Sequence, residues 1–338
     1  MDARLGTHFE SEIREQPAIW ERLAVSDTAA RLARELDGDI ILLGSGSSLF
    51  VAQLGALAFR RRGVSAHALA ATEARLDHNA YLDRIVVAIS QSGQSTDLLD
   101  AIDVLRPRKL IALTNTIDSP LAVRAAQTIG IGAGPEIAVP ASKSVSASAA
   151  ILLWAASLLA NDGHRDGSLL AKTARDVSAW LDGTDIDETI AVAARIALCS
   201  SVVILGSDYG LPIAREAGLK LKEACYLHAE GFAAGEFRHG SVAMIDASCA
   251  VIGIIDTDAF AIVERPMREV ASSGALRYTI GAQNIPGIQH LGPVIDIPFN
   301  TLAWLTTIQT IALHAARARH IESDSPRGLS KALISEGL

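Results

Sequence analysis

Aromatic residues are scarce. Phe, Tyr and Trp make up 4% of 338 residues, although 49% of the chain is hydrophobic. The apolar volume is therefore carried by Ala, Leu, Ile and Val, the usual filling of an α/β protein, and the length favours two domains of ordinary size. Cysteine is scarce too. Cys199, Cys225 and Cys249 are an odd number with no C-x-x-C spacing, which points away from a disulfide framework or a zinc site and fits a reducing cytoplasm. No block of lysine or arginine occurs and the formal charge is −8. Neither a nucleic acid nor an anionic membrane is expected as a partner, and any anion would need a local site. No apolar run approaches a membrane span without interruption, and the charged start from Asp2 to Arg4 lacks the apolar core of a signal peptide.

What is present is a repeated strand–turn–helix pattern. Thr7 to Arg34 reads as two helices separated at Gln16-Pro17, the second turning Ile19, Leu23, Leu32 and Leu36 inward. Asp39 to Gly44 is then a short, continuously apolar run, the pattern of a strand buried on both faces of a parallel sheet. The turn Ser45-Gly46-Ser47-Ser48 follows, and a helix from Leu49 to Arg62. Backbone N–H groups, hydroxyls and a positive dipole end meet there, which suits a phosphate. A second buried strand, Ile85 to Ile89, ends in Ser90-Gln91-Ser92-Gly93-Gln94-Ser95-Thr96-Asp97 before a helix to Leu105. In an open parallel sheet, ligands bind where strand carboxyl ends meet helix N-termini, so the two hydroxyl loops are natural neighbours on one phosphate. Part of this serine content serves capping and loop solvation instead.

Further strands are expected at Leu110 to Thr114 and Thr128 to Ile131, with a short helix from Pro120 to Ala126 between them. A long Ala/Leu-rich helix opens at Ser142-Lys143-Ser144 and runs to Leu159. Lys143 in a first helical turn opposes the helix dipole, so either it faces a ligand or pairs with an acid such as Glu136, or it is simply exposed. The polar run Asn161 to Gly167 reads as the linker between domains. Beyond it, helices at Leu169 to Leu181 and Glu188 to Leu198 lead to Ser201 to Gly206, which restarts the buried-strand pattern. Strands at Cys249 to Ile255, Leu276 to Ile280 and Val294 to Ile297, and helices at Phe260 to Ser272 and Thr301 to Ala318, complete a diverged copy of the first half. No counterpart of the Ser90 to Thr96 loop occurs in it.

Leu219 to Gly240 concentrates three lysine or arginine residues, three glutamates and two histidines among apolar neighbours. On a helix, Lys220 and Glu223 share a face and Lys222 points elsewhere. Breaks at Gly231 and Gly235 would bring Glu236, Arg238 and His239 out of a turn-prone run. A solvated amphipathic helix followed by a polar loop is the plainer alternative.

Six separated motifs carry a family resemblance: the Gly-Ser-Gly-Ser-Ser turn, Ser90-Gln91-Ser92-Gly93, Ala133-Gly134-Pro135-Glu136-Ile137, Leu219 to Glu223, Glu236-Phe237-Arg238-His239-Gly240 and Asp324 to Lys331. In this order and over nearly the whole chain they resemble the tandem sugar-isomerase (SIS) domain proteins. The closest likeness is to the isomerase half of glucosamine-6-phosphate synthase and the stand-alone glucosamine- and galactosamine-6-phosphate deaminases. The resemblance implies an α/β fold of two flavodoxin-like domains, each a parallel sheet flanked by helices. Residues 1–34 would form a helical lead-in, 35–164 the first domain, 165–320 the second and 321–338 a C-terminal tail. It implies a homodimer with shared active sites and an amino-sugar or ketose phosphate as substrate. By position, Ser47, Ser48, Ser90, Gln91, Ser92 and Ser95 would hold the phosphate with the Val139 backbone nearby, and Lys143 would be a further substrate contact. Glu223 would move the proton between C1 and C2, His239 would open the ring, Lys220 would sit by the hydroxyls, and Lys331 would meet the carbonyl carbon.

The chemistry agrees with those residue types. A carboxylate in a partly apolar pocket is a suitable single shuttle for an aldose–ketose shift. Ring opening needs a group that titrates near neutrality, as histidine does, and a desolvated lysine can form an imine with a ketose. The synthases carry an N-terminal glutaminase domain that this sequence does not show, so release of ammonia is the expected direction. Gln94-Ser95-Thr96-Asp97 stands nearer the stand-alone enzymes, while Ser241 after His-Gly and Ala141-Ser142-Lys143 depart from the family pattern and bear on sugar specificity. The expectation is a cytoplasmic amino-sugar-phosphate deaminase/isomerase without metal or organic cofactor. A glutamine-independent aminotransferase-like isomerase, a deglycase acting on glycated amino acid phosphates and a non-catalytic sugar-phosphate sensor are the alternatives.

Overall fold

A computed structural model of the protein describes residues 5–76, 78–160, 166–295 and 298–331. The chain divides into two compact units: a first made of Ala18–Glu136, Lys143–Ala171 and the tail from Ser330, and a second made of residues up to Pro17, Ile137–Ser142 and Lys172–Leu329. Most of the linker expected at Asn161 to Gly167 lies outside the described residues.

The first unit is built on five parallel strands, β1 (Ile40–Gly44), β2 (Ala66–Ala70), β3 (Ile85–Ser90), β4 (Lys109–Thr114) and β5 (Gln127–Gly130), in the order β2-β1-β3-β4-β5. This is the flavodoxin-like order, with its switch point between β1 and β3. Those two strands are buried throughout because both faces of a parallel sheet are covered by helices. The covering helices are α2 (Thr28–Arg34), α3 (Ser47–Arg61), α4 (Ala71–Leu76), α5 (Thr96–Leu105), α6 (Pro120–Arg124) and α7 (Lys143–Leu159). Strand β2 has no counterpart in the sequence reading. It is a half-covered edge strand of Ala, His and Leu, without the β-branched run that marks a central strand.

The second unit repeats the plan. Strands β6 (Ser201–Gly206), β7 (His228–Ala233), β8 (Cys249–Ile255), β9 (Leu276–Gly281) and β10 (Gln289–His290) are parallel in the order β10-β9-β8-β6-β7. Counted from β6, that is the same 2-1-3-4-5 order read from the other edge. Helices α8 (Asp166–Asp182), α9 (Ile186–Ile196), α10 (Gly210–Cys225), α11 (Ala234–Phe237), α12 (Phe260–Glu269) and α13 (Asn300–Ala318) accompany it. Almost the whole of α13 is buried, and Thr306, Thr307 and Thr310 are tolerated there because each hydroxyl donates to a carbonyl four residues back. The edge strand is Gln289–His290, whereas Val294 and Ile295, expected in a strand, are not in one. Their expected continuation at 296–297 lies outside the described residues.

The expected break at Gln16-Pro17 is not a break. Helix α1 runs unbroken from Thr7 to Ala24 with Pro17 inside it. Proline cannot donate to the carbonyl four residues back, but the Gln16 amide Nε2 does so, 3.0 Å from the Ile13 carbonyl, and its Nε2 also donates to Gln309 Oε1 at 2.8 Å. Gln16 is fully buried and does locally what the proline cannot. The two helices part later, before α2 begins at Thr28.

Candidate active site

The hydroxyl loops of the first unit leave the carboxyl ends of β1 and β3, which are hydrogen-bonded neighbours at the switch point. Glycines shape both. A Cβ on Gly44 would lie 2.6 Å from the Ser48 backbone, so the chain can fold back onto α3 only with glycine at the end of β1. Gly46, at φ 54° and ψ −129° before the first turn of α3, holds a conformation that other residues rarely adopt. Ser47 and Ser48 then open α3, half-buried, with no acidic residue in the first turn.

In the second loop, Gly93 has φ 64°, and a Cβ there would fall 2.0 Å from Ser119 Oγ. Ser90 is buried and its hydroxyl accepts the Gly93 N–H at 3.0 Å, while Ser92 Oγ accepts the Gln94 N–H at 3.2 Å. These two serines shape the loop as well as line it, and each hydroxyl still has a proton to donate. Ser95 holds the N-cap position of α5 without a side-chain capping bond. The Gln91 carbonyl accepts the Asn115 N–H at 3.1 Å and the Thr114 hydroxyl at 3.3 Å, which ties the loop to the end of β4.

Asn115, which follows the expected strand from Leu110 to Thr114 and carries no expected role, also clamps the next loop. Its Nδ2 donates to the Gly134 carbonyl at 2.7 Å and its Oδ1 accepts the Ala133 N–H at 3.0 Å. Two residues on, the Glu136 carboxylate is fully buried and accepts the Ser144 N–H at 3.0 Å and the Ser144 hydroxyl at 2.7 Å, in the first turn of α7. Lys331 Nζ lies 2.9 Å from Glu136 Oε2. Burial alone would raise the Glu136 carboxyl, but the charge of Lys331 and the hydrogen bonds from Ser144 and Lys331 outweigh it and hold the group below its ordinary range. Lys143 is 2% exposed, so it is not the solvated lysine of the plainer reading. The tail lysine, which without the family resemblance would be placed in solvent, has a buried acid as partner.

In the second unit, α10 carries Glu216, Lys220 and Glu223 along one face. Lys220 is 1% exposed, with its ammonium 3.6 Å from Glu216 Oε1 and in contact with Glu223 Oε2. Glu216, equally buried, was not singled out from the sequence, although four-residue spacing from a lysine is a readable signal. Glu223 keeps 20% of its side chain exposed, so one buried cation holds a glutamate that is not sealed from solvent. Lys222 is exposed, and Arg238 is spent on Glu269 at 2.7 Å.

The expected breaks at Gly231 and Gly235 are corrected. Gly231 lies within β7, where a Cβ would meet the Ala214 backbone at 2.4 Å, and Gly235 lies within α11. The glycine at 231 lets α10 press onto the sheet rather than opening a turn. The turn sits instead at Tyr226, φ 54°, which ends α10. His239 follows α11 and is exposed, with its N–H donated to the Glu236 carbonyl.

Tail residues before Lys331 are anchored within this unit. Asp324 accepts the His8 and Phe9 N–H groups in the first turn of α1, and its carbonyl accepts the Val139 N–H at 2.9 Å. The Val139 backbone, expected near the substrate, thus has its N–H committed to the tail. The Arg327 guanidinium lies 4.3 Å from the centre of the Tyr226 ring, whose hydroxyl accepts the Arg327 N–H at 2.7 Å. Among the described residues no group of three or more His, Cys, Asp and Glu could hold a metal ion, and no helix is long and apolar enough to cross a membrane.

Residues 37–158 match the family model of the SIS domain. This part of the chain is a SIS domain. The whole chain is 29% identical over 345 residues to the glutamine–fructose-6-phosphate aminotransferase (isomerizing) of Sulfolobus acidocaldarius, an alignment covering 97% of this chain and 57% of that one. The chain therefore spans a little over half the length of this relative. The C-terminal domain of glucosamine-fructose-6-phosphate aminotransferase from Francisella tularensis superposes with a TM-score of 0.80 at 21% identity, covering 94% of this chain and 98% of that one. Glucosamine-6-phosphate deaminase from Thermotoga maritima superposes at 0.79 and 20% identity, covering 97% and 99%. At these identities the two structures establish the fold.

Proposed function

We propose that this protein is an amino-sugar-phosphate deaminase/isomerase, converting a hexosamine 6-phosphate to the ketose phosphate and ammonia. The observation that carries the reading is the row on α10, in which buried Lys220 joins Glu216 to a still accessible Glu223. A carboxylate held in place and open on one side is what an aldose–ketose proton shuttle requires. The hydroxyl loops of the SIS domain support a phosphate anchor made of Ser47, Ser48, Ser90, Gln91, Ser92 and Ser95, with Lys143 and the Val139 backbone as further substrate contacts.

In this reading His239 opens the ring by moving a proton between the ring oxygen and the C1 hydroxyl. Glu223 takes the proton from C2 and returns it to C1, leaving an imine at C2. Lys220 hydrogen-bonds the sugar hydroxyls. Lys331 Nζ adds to the imine carbon C2, the bond from C2 to the amino nitrogen breaks and ammonia leaves; water then adds to C2 of the lysine imine, the C2–Nζ bond breaks, and the ketose phosphate departs with the lysine amine restored. No metal or organic cofactor is required by these steps. The site would be shared across a homodimer in the cytoplasm.

The test is ammonia release from a panel of phosphorylated amino sugars. No ammonia from any of them, together with tight sugar-phosphate binding, sinks the enzymatic reading in favour of a sensor. The name of the S. acidocaldarius relative supports a second reading, amination of the ketose phosphate. The same assay run with fructose 6-phosphate and ammonia distinguishes it.

A further inference from the structure

The pair of Glu136 and Lys331 calls for an explanation beyond the reaction steps. A carboxylate without solvent contact is costly unless it is hydrogen-bonded and paired. Ser144 supplies two hydrogen bonds, and the cation comes from a residue almost two hundred positions away on the tail. Glu136 is also not placed independently of the phosphate loop. Asn115 bonds the Gln91 carbonyl through its main chain and the Ala133–Gly134 segment through its side chain, so one residue sets the spacing between the Ser90–Gly93 loop and the loop that ends in Glu136. These groups all belong to the first unit.

We propose that Glu136 is the positioning residue for Lys331: a prebuilt buried carboxylate that captures the tail ammonium at the strand-end edge carrying the hydroxyl loops. The lysine is thereby presented to the phosphosugar site from a fixed point. A tail that only covered the surface would need no buried acid, and the two anchors at Asp324 and Arg327 already hold the segment before it. The side chain of Lys331 retains 25% exposure, so it is held without being sealed from solvent. This rests on the reading of Lys331 as the residue that meets the sugar carbonyl, but its first test does not.

That test is amine acetylation at neutral pH, followed residue by residue by peptide mass spectrometry. In the wild-type protein Lys331 is expected to react about tenfold more slowly than exposed Lys222, as a charge-assisted hydrogen bond of ordinary strength would require. In Glu136→Gln, which keeps the shape and the Ser144 contacts, that protection is expected to disappear. Equal rates for Lys331 and Lys222 in the wild type overturn the proposal, and so does unchanged Lys331 labelling in a folded Glu136→Gln. Kinetics give the second test. Glu136→Gln is expected to lower kcat about tenfold or more with KM for the sugar phosphate within about twofold, Glu136→Asp to recover part of it, and Glu136→Gln to cost nothing further in a Lys331→Met background. An undiminished effect of Glu136→Gln in that background means a general structural role and also overturns the proposal. If labelling behaves as expected while no amino-sugar phosphate is turned over, Glu136 keeps its positioning role and the reaction assigned to the site fails.

Discussion

The two units share a strand order and differ in what they put at its switch point. In the first, the neighbouring strands β1 and β3 end in Ser45-Gly46-Ser47-Ser48 and Ser90-Gln91-Ser92-Gly93; in the second, β6 and β8 end in Ser207-Asp208-Tyr209-Gly210 and Asp256-Thr257-Asp258. Both first strands close with a glycine whose Cβ would strike the start of the next helix, Gly44 against Ser48 and Gly206 against Gly210. The steric device of the turn is thus kept, while three aspartates stand among the hydroxyls of the second unit's loops. Serines and a helix dipole attract a phosphate, and three aspartates repel one. The proposed phosphate grip is therefore assigned to the first unit. The second carries its ionisable groups along α10, where a buried lysine between two glutamates replaces a loop as the organising feature.

The comparison is broken most severely at Glu223. Glu223→Gln is expected to lower kcat by roughly 10²- to 10⁴-fold, the contribution of a positioned acid–base group, with sugar-phosphate binding unchanged by calorimetry. Comparable loss of binding would mean that Glu223 holds substrate rather than moving its proton. Next is the loop charge. Ser92→Asp gives the first switch point the character of the second, and one carboxylate near a phosphate is expected to weaken inorganic phosphate binding about tenfold or more. Unaltered affinity in a folded variant would remove Ser92 from the phosphate site.

Glycine variants separate fold from site. Gly231→Ala forces a Cβ against the Ala214 backbone and is expected to cost about 2 kcal/mol or more in urea unfolding. Gly93→Ala meets Ser119 Oγ at positive φ, and is expected to raise the KM for phosphosugar by more than its loss of stability explains. The smallest effect concerns pH. His290 lies in the second unit, and burial pushes its imidazole down from 6.5 to about 4. Between those values the unfolded chain binds the proton and the folded one does not, so stability is full above about 6.5 and falls as pH drops towards 4. Because the ring is partly exposed, the contribution is discounted to the order of 1 kcal/mol. Unfolding followed between pH 7 and 4.5 should show that slope, and His290→Asn should flatten it.

Much of this was legible because it rests on local rules. Continuously apolar runs marked β1, β3, β6 and β8, with a glycine closing β1 and β6, and hydroxyls at helix starts marked the loops. What escaped was decided by neighbours distant in sequence. Strands β2 and β7 lack a β-branched run and owe their place to edge pairing with β1 and β6. Pro17 reads as a helix stop until Gln16 is seen to serve the carbonyl it abandons. Glycine 231 reads as a breaker until α10 is seen pressed against it.

The sequence by itself determined the alternation of strand and helix, the repeat, and the placing of the hydroxyl loops and of Lys220 and Glu223 on one helical face, because periodicity and backbone sterics act between near neighbours. Only the tertiary structure decided that Glu216 and Lys220 are buried together on α10, that Asn115 spaces two loops, and that Glu136 rather than solvent receives Lys331. Those pairings depend on desolvation, and which charges lose their water is set by packing between segments far apart in the chain.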